Sequence, residues 1–369
     1  MNLKVSKRPI ILMAGGTGGH VIPAQILKKA FEDKGTQIFF VTDQRGEVYF
    51  NDNVPFEGLV LKMESGTFLR RLFGVLKNVG KLLKLFLKIK PQGVIGFGGY
   101  PSAAGGIAAA LLRLPLFIHE QNAVLGRVNR LFVYYAKILF LTFPATQKVP
   151  FSQRKKEIYA GPLVRPEIEM LGVNAPYLEW DKKSKFCFLI IGGSQGSSPL
   201  VKIVLAALAQ VPPALRKKLF IILQVPSSLS DETKIILKDL GIIHDVAPFF
   251  QNMSDHLKKA HLVMARAGSG TVGEILASRR PCIFVPLPNA MDDHQTVNAS
   301  YLEKIGGGWS FPQRELSAEM LSDLLQKFLE TPETLTHVSH VLDQQYNLGA
   351  AHGIVGVVDE SIKSLHKES

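Results

Sequence analysis

Two stretches decide the reading: ILMAGGTGGHVIPA at 11–24 and FLIIGGSQGSSPLV at 188–201. In each, a short apolar run enters a glycine-rich turn and leaves it with helical spacing. A continuous apolar run of this length reads as a strand of a parallel sheet, buried on both faces. Glycine lets the backbone approach a ligand closely, and the start of the next helix offers unpaired N–H groups and a positive dipole end to phosphate. A third stretch, IGFGGYPSAAGG at 95–106, repeats the plan. One such loop is equally well a tight strand-to-helix turn. Three in one chain favour an anionic ligand.

Outward from these loops, strand-like runs recur at 9–14, 37–41, 93–97, 115–120 and 137–143, then at 185–191, 219–225, 261–265 and 281–287. Helical segments lie between them, at 20–34, 101–112, 199–210, 270–278 and 295–305. The alternation predicts an α/β protein of two doubly wound, Rossmann-like domains. Prolines accumulate and periodicity lapses over AGPLVRPEIEMLGVNAP at 160–176, which places the joint there, with domains at 1–163 and 164–345.

The 369 residues suffice for two sizeable cores, and 46% apolar with 20% charged residues excludes a disordered or fibrous class. No apolar run reaches the roughly 18–20 residues of a spanning helix. The longest, 103–118, is interrupted by Arg113 and Pro115. The basic N-terminus meets only Ile10–Ala14 before the glycines, so it reads as a first strand rather than a leader. Cys187 and Cys282 sit in apolar runs as free thiols, which fits a reducing cytoplasm. The net charge of +12 is uneven: residues 1–163 hold 23 Lys/Arg against 9 Asp/Glu, whereas 164–369 hold 20 against 22. That asymmetry predicts a polyanionic partner for the first half, a nucleic acid or an anionic membrane. Aromatic interleaving of the stacking type is sparse there, which disfavours nucleic acid.

Several chemistries are disfavoured. GGTGGH lacks the lysine of a P-loop, and both early glycine loops fail the last position of a dinucleotide fingerprint. No Asp-x-Asp occurs and no His/Cys cluster has zinc spacing, so no metal and no cofactor is expected. Asp292-Asp293 reads as a cap on the helix near Gln295. A diphosphate here would be held by backbone amides and helix ends.

The motifs GGTGGH, GFGGYPS, HEQN (119–122), GPLVR (161–165), GGSQG (192–196), AGSGTVGE (267–274) and DHQTVNA (293–299) occur in that order. Together they resemble the MurG family of peptidoglycan glycosyltransferases over nearly the whole chain. The resemblance implies the GT-B architecture, two Rossmann-like domains separated by a cleft. It implies an inverting enzyme that moves N-acetylglucosamine from UDP-N-acetylglucosamine to the C4 hydroxyl of the N-acetylmuramyl residue of lipid I, an undecaprenyl diphosphate. The product would be lipid II. A related transferase acting on another membrane lipid is the alternative. The first domain would face the acceptor and membrane, the second would bind the nucleotide sugar, and a last helix at about 346–369 would return to the first. Localisation would be peripheral, on the cytoplasmic face of the inner membrane.

Motif by motif, the resemblance implies donor contacts from Thr17, Gly18, Gly19 and Asn122. Arg165 would reach the phosphates, Ser194 would bind the diphosphate, and Phe250 would lie against uracil. Ser269, Gly270, Thr271, Val272, Gly273 and Glu274 would underlie the ribose, and Gln295 would contact the sugar. The segment LQVPSS (223–228) departs from the family pattern and contributes no expected contact.

The residues also carry readings of their own. A carboxylate such as Glu274 can accept from two vicinal hydroxyls, and its alternative is a solvated first-turn glutamate. His20 ends a glycine loop at a helix start, and a side chain of ordinary pKa about 6.5 suits proton transfer from an attacking hydroxyl. Its alternative is to order the loop; Glu120 is a weaker candidate base. Arg165 has a fork suited to phosphate or leaving-group charge. In FLRRLFGVLKNVGKLLKLFLKIK (68–90), Arg70, Lys77, Lys81, Lys84 and Lys88 share one helical sector and apolar residues fill most of the rest. That width exceeds one packing face and reads as an anionic-membrane surface, with a core helix bearing a solvated lysine stripe as the alternative.

Overall fold

The computed structural model describes residues 8–51, 55–64, 67–193 and 197–367. The chain forms two compact units, Met1–Leu163 with Asn347–Ser369, and Val164–Tyr346. In the first, β1 (Ile10–Met13), β2 (Ile38–Asp43), β3 (Gly58–Leu61), β4 (Gly93–Gly96), β5 (Leu116–Glu120), β6 (Ile138–Leu141) and β7 (Glu157–Tyr159) make one sheet. Its order is β3-β2-β1-β4-β5-β6-β7 and every pair is parallel, with Ile10 opposite both Ile38 and Gly93.

Helices cover both faces, which is why the strands read as unbroken apolar runs. Ile11 and Met13 join Val79, Leu82 and Phe86 of the helix Phe68–Ile89 and Ala104 and Ala108 of the helix Gly99–Leu111. Ile10 and Leu12 face the other way, against Leu27 and Phe31 of the helix Gly18–Asp33 and Ile354 and Val358 of the helix Ala350–Lys367.

The second unit repeats the plan with β8 (Phe186–Ile191), β9 (Leu219–Gln224), β10 (Ile243–Ala247), β11 (Leu262–Ala265), β12 (Cys282–Phe284) and β13 (Trp309–Ser310). The order is β10-β9-β8-β11-β12-β13, again parallel. Phe186, Phe188 and Ile190 pack on Val201, Val204 and Leu208 of the helix Ser198–Gln210.

Two sequence expectations need correction. The strands β3, β7, β10 and β13 were absent from the pattern of apolar runs, and they are the four sheet edges. An edge strand is short and half-open to water, so it needs no continuous apolar run. The stretch 160–176, read as aperiodic, holds a helix at Pro166–Asn174, with proline at its start and Glu167 and Glu169 in its first turn. Nine residues are too few to display a period.

Candidate active site

In each unit the glycine loops leave the C-terminal ends of neighbouring strands, the edge at which open α/β sheets bind ligands. In the first unit these strands are β1, β4 and β5. Asp43, at the end of β2, accepts from Gly16 N and from Gly46 N, each at 2.9 Å, and so braces the first loop. A side chain at Gly15 would meet Pro101 at 2.6 Å, and one at Gly99 would meet the Gly15 carbonyl at 2.8 Å. The loops after β1 and β4 therefore touch, and only glycine permits it.

Thr17 stands exposed at the N-cap of the helix Gly18–Asp33, with Gly19 exposed beside it and Gly18 half-buried. His20 is half-buried, and its Nδ1 lies 3.0 Å from the Gly15 carbonyl oxygen. A carbonyl only accepts, which assigns the proton to Nδ1 and leaves Nε2 as the basic nitrogen. That nitrogen faces Gly98, where an added Cβ would lie 3.1 Å away. The arrangement can take a proton at Nε2.

Glu120, the weaker candidate base, is removed by its bonding. It is buried and accepts from Asn122 N (3.0 Å), Asn122 Nδ2 (3.3 Å), Gly126 N (2.8 Å) and Asn129 Nδ2 (2.8 Å). Both oxygens serve the turn that presents Asn122. The neighbouring His119 is buried, and burial pushes its pKa down to about 3. Gln121 Nε2 donates to its Nδ1 at 3.0 Å, so His119 is a neutral core residue.

In the second unit Ser269–Ser278 forms a helix directly after β11. Ser269, Val272 and Gly273 are buried, Gly270 is exposed, and Thr271 and Glu274 are half-buried. Arg165, the residue before the helix Pro166–Asn174, donates from Nε to Glu274 Oε1 at 2.9 Å and stands 4.0 Å from Glu167. Burial raises the Glu274 pKa, and the Arg165 guanidinium offsets part of that rise. Two of the expected residues are thus in direct contact.

Gln295 Oε1 accepts from Leu287 N at 2.9 Å, which directs its amide N–H groups elsewhere. Phe250 is 7% exposed and packs on the His256 ring at 4.4 Å, while Phe249 beside it is 67% exposed. Ser194 lies outside the described residues. Asp293 precedes the helix His294–Lys304, yet its carboxylate accepts from the Thr296 hydroxyl at 2.8 Å rather than from a backbone amide, so the capping expectation fails there. Asp292 and Asp293 both hold left-handed φ, 54° and 52°, a costly conformation without glycine.

Two residues went unread in the sequence. Asp43 carried a signal, a lone carboxylate closing an apolar strand. Arg266 carried one too, a single cation between the apolar β11 and AGSG. It is 7% exposed and donates from Nη1 to the Val285 and Pro286 carbonyls at 3.1 and 3.2 Å. From Nη2 it donates to Ser197 Oγ and Gln313 Oε1, at 2.7 and 2.6 Å.

Two parallel α/β units with glycine loops at the strand ends make the GT-B architecture, and the family match makes the chain a glycosyltransferase of that class. The model of the glycosyltransferase family 28 N-terminal domain matches residues 10–140, and that of its C-terminal domain matches 187–350. The UDP-N-acetylglucosamine–N-acetylmuramyl-(pentapeptide) pyrophosphoryl-undecaprenol N-acetylglucosamine transferase of Rhodospirillum centenum is 38% identical, over 90% of this chain and 88% of its own length. The enzyme of that name from Rickettsia bellii is 36% identical over 90% of this chain and 94% of its own. The crystal structure of Acinetobacter baumannii MurG superposes with a TM-score of 0.79 at 28% identity, covering 96% of this chain and all of that one. The chain belongs to glycosyltransferase family 28, in its MurG branch.

Proposed function

We propose that this protein transfers N-acetylglucosamine from UDP-N-acetylglucosamine to the C4 hydroxyl of the N-acetylmuramyl residue of lipid I, with inversion, to give lipid II for peptidoglycan. The observation that carries the reading is the contact between Arg165 and Glu274, in the second turn of the helix Ser269–Ser278 at the ligand-binding edge of the second unit. A carboxylate held there suits the vicinal hydroxyls of a ribose, and a guanidinium beside it suits the diphosphate.

In this reading the second unit holds the donor. Ser269–Glu274 underlie the ribose, Ser194 and Arg165 meet the phosphates, and Gln295 offers its amide N–H groups to the sugar. With its ring against His256, residue 250 meets uracil through its backbone. The first unit supplies the acceptor surface, with Thr17, Gly18, Gly19 and Asn122 toward the diphosphate-sugar. Nε2 of His20 takes the proton of the acceptor hydroxyl as its oxygen bonds to C1 of the sugar. The bond from C1 to the β-phosphate oxygen breaks, and its electron pair leaves with UDP. Backbone N–H groups and Arg165 stabilise that departing charge without a metal or cofactor.

A lipid acceptor requires a membrane surface, and no helix among the described residues is long and apolar enough to span one. On the helix Phe68–Ile89, Phe73, Leu76 and Leu87 are 61–68% exposed beside the exposed Lys77, Lys84 and Lys88. That pairing of apolar and cationic side chains suits peripheral docking on an anionic leaflet at the cytoplasmic face of the inner membrane. The test is transfer of labelled sugar from UDP-N-acetylglucosamine to a lipid I analogue by parent protein and by His20→Ala. The expected result is turnover by the parent and its loss in the variant with UDP binding retained; equal turnover removes His20 as the base, and no turnover by either removes the function.

A further inference from the structure

Arg266 stands apart from the other buried cations of its unit, Arg279, which pairs with the carboxylate of Asp343, and Arg280. Arg280 is 1% exposed and donates to the carbonyls of Leu257, Ser278 and Ala175. Those three carbonyls lie at or near the C-terminal ends of the helices Met253–Lys259, Ser269–Ser278 and Pro166–Asn174, where the helix dipole is negative. Burial pushes the Arg280 pKa down to about 10, and three negative helix ends offset part of that cost.

The position of Arg266 is the reverse. Its partner Ser197 is the N-cap residue of the 13-residue helix Ser198–Gln210, a positive dipole end. Its other three acceptors, Val285, Pro286 and Gln313, are neutral, and no carboxylate among the described residues offsets the burial that pushes its pKa down. A buried guanidinium placed against a positive helix end works against folding, and such local losses mark functional sites. Its bonds also join the loops that follow β8, β11, β12 and β13, four neighbouring strands, at their C-terminal ends. An anion seated at that edge turns the misplaced charge into an asset.

We propose that Arg266 is a positioning residue of the nucleotide site, holding one uncompensated positive charge beneath the loops for the ligand's diphosphate while fixing the loops to each other. The proposal rests on the nucleotide-sugar reading above. A purely mechanical tie would affect every ligand of the site alike, whereas a charge acts in proportion to the charge on the ligand.

The experiment measures the affinities of uridine, UMP and UDP by calorimetry at fixed ionic strength for the parent, Arg266→Met, Arg266→Lys and Ser197→Ala. The expected result is that Arg266→Met lowers the preference for UDP over uridine by at least about tenfold, the effect of one unit charge on each unit of ligand charge over roughly 10 Å at an effective dielectric near 20. Arg266→Lys keeps the preference within about threefold because the charge remains. Ser197→Ala lowers all three affinities together and leaves the preference intact. An unchanged preference in folded Arg266→Met overturns the proposal, and so does a preference lost equally in Arg266→Lys. Should the methionine variant not fold, the lysine and Ser197 variants decide by the same ratio. A parent that binds no UDP overturns the nucleotide-site reading as well, which separates the two failures.

Discussion

Glu274→Ala should weaken UDP binding without harming the fold. Hydrogen bonds to a charged acceptor contribute about 1.5–3 kcal/mol net. Oε1 of Glu274 already accepts from Arg165 at 2.9 Å, so a ribose hydroxyl gains less there than at Oε2. The lower part of the range applies, about 1.5–2 kcal/mol, or roughly a 10- to 30-fold rise in Kd. Stability should not fall with it. Burial raises the folded-state pKa of Glu274 above its unfolded value, so ionisation opposes folding and that cost is present at neutral and higher pH. The remaining Arg165 keeps 34% of its side chain in solvent and stays 4.0 Å from the Glu167 carboxylate, which limits the cost of losing its partner. Calorimetry with UDP and 2′-deoxy-UDP on parent and variant isolates the contact. The parent should prefer UDP, and Glu274→Ala should bind the two alike. Unchanged UDP affinity, or a preference for UDP that survives in the variant, refutes the ribose contact and leaves Glu274 as the ion-pair partner of Arg165 only.

Other outcomes follow from the same geometry. Replacing Lys77, Lys81, Lys84 and Lys88 by Gln should release the protein from anionic vesicles while UDP binding stays intact, since each cation near such a surface contributes about 1 kcal/mol. Equal co-sedimentation of variant and parent at low and high salt would make this helix a core element only. Transfer should persist in excess EDTA; a loss of turnover restored by a stoichiometric divalent ion contradicts the metal-free reading. Burial holds His119 and His261 neutral, with pKa values of about 3 and about 4 against an ordinary 6.5. Unfolding lets both bind protons, so stability present above pH 6.5 should decline as pH falls toward 4, by up to about 1.4 kcal/mol per pH unit for each. Urea unfolding across that window checks the sign, and a constant midpoint would contradict it.

The central strands were legible because a strand covered by helices on both faces must be apolar throughout, as Ile10–Met13 and Phe186–Ile191 are. The edges were not: Ile243–Ala247 carries His244 and Asp245 on a half-open strand that reads as loop. Within the site the glycines read as room for a ligand, whereas at Gly15 and Gly99 they let two loops touch. Roles set by hydrogen bonds were not legible. Nothing in HEQN reveals that Glu120 spends both oxygens on four donors, or that the Gly15 carbonyl fixes the His20 tautomer. Arg266 carried only a positional signal, a single cation between the apolar β11 and AGSG. Its significance lies in having no carboxylate beside it among the described residues and in the helix end it faces, which only three-dimensional placement reveals.

The most direct measurement is product analysis with two acceptors offered side by side, a lipid I analogue and diacylglycerol, under purified protein and UDP-N-acetylglucosamine. The account predicts a β-linked disaccharide at the C4 hydroxyl of the N-acetylmuramyl residue, one UDP released per disaccharide, and no sugar on diacylglycerol. Sugar on diacylglycerol, an α linkage, or UDP release without disaccharide would contradict it.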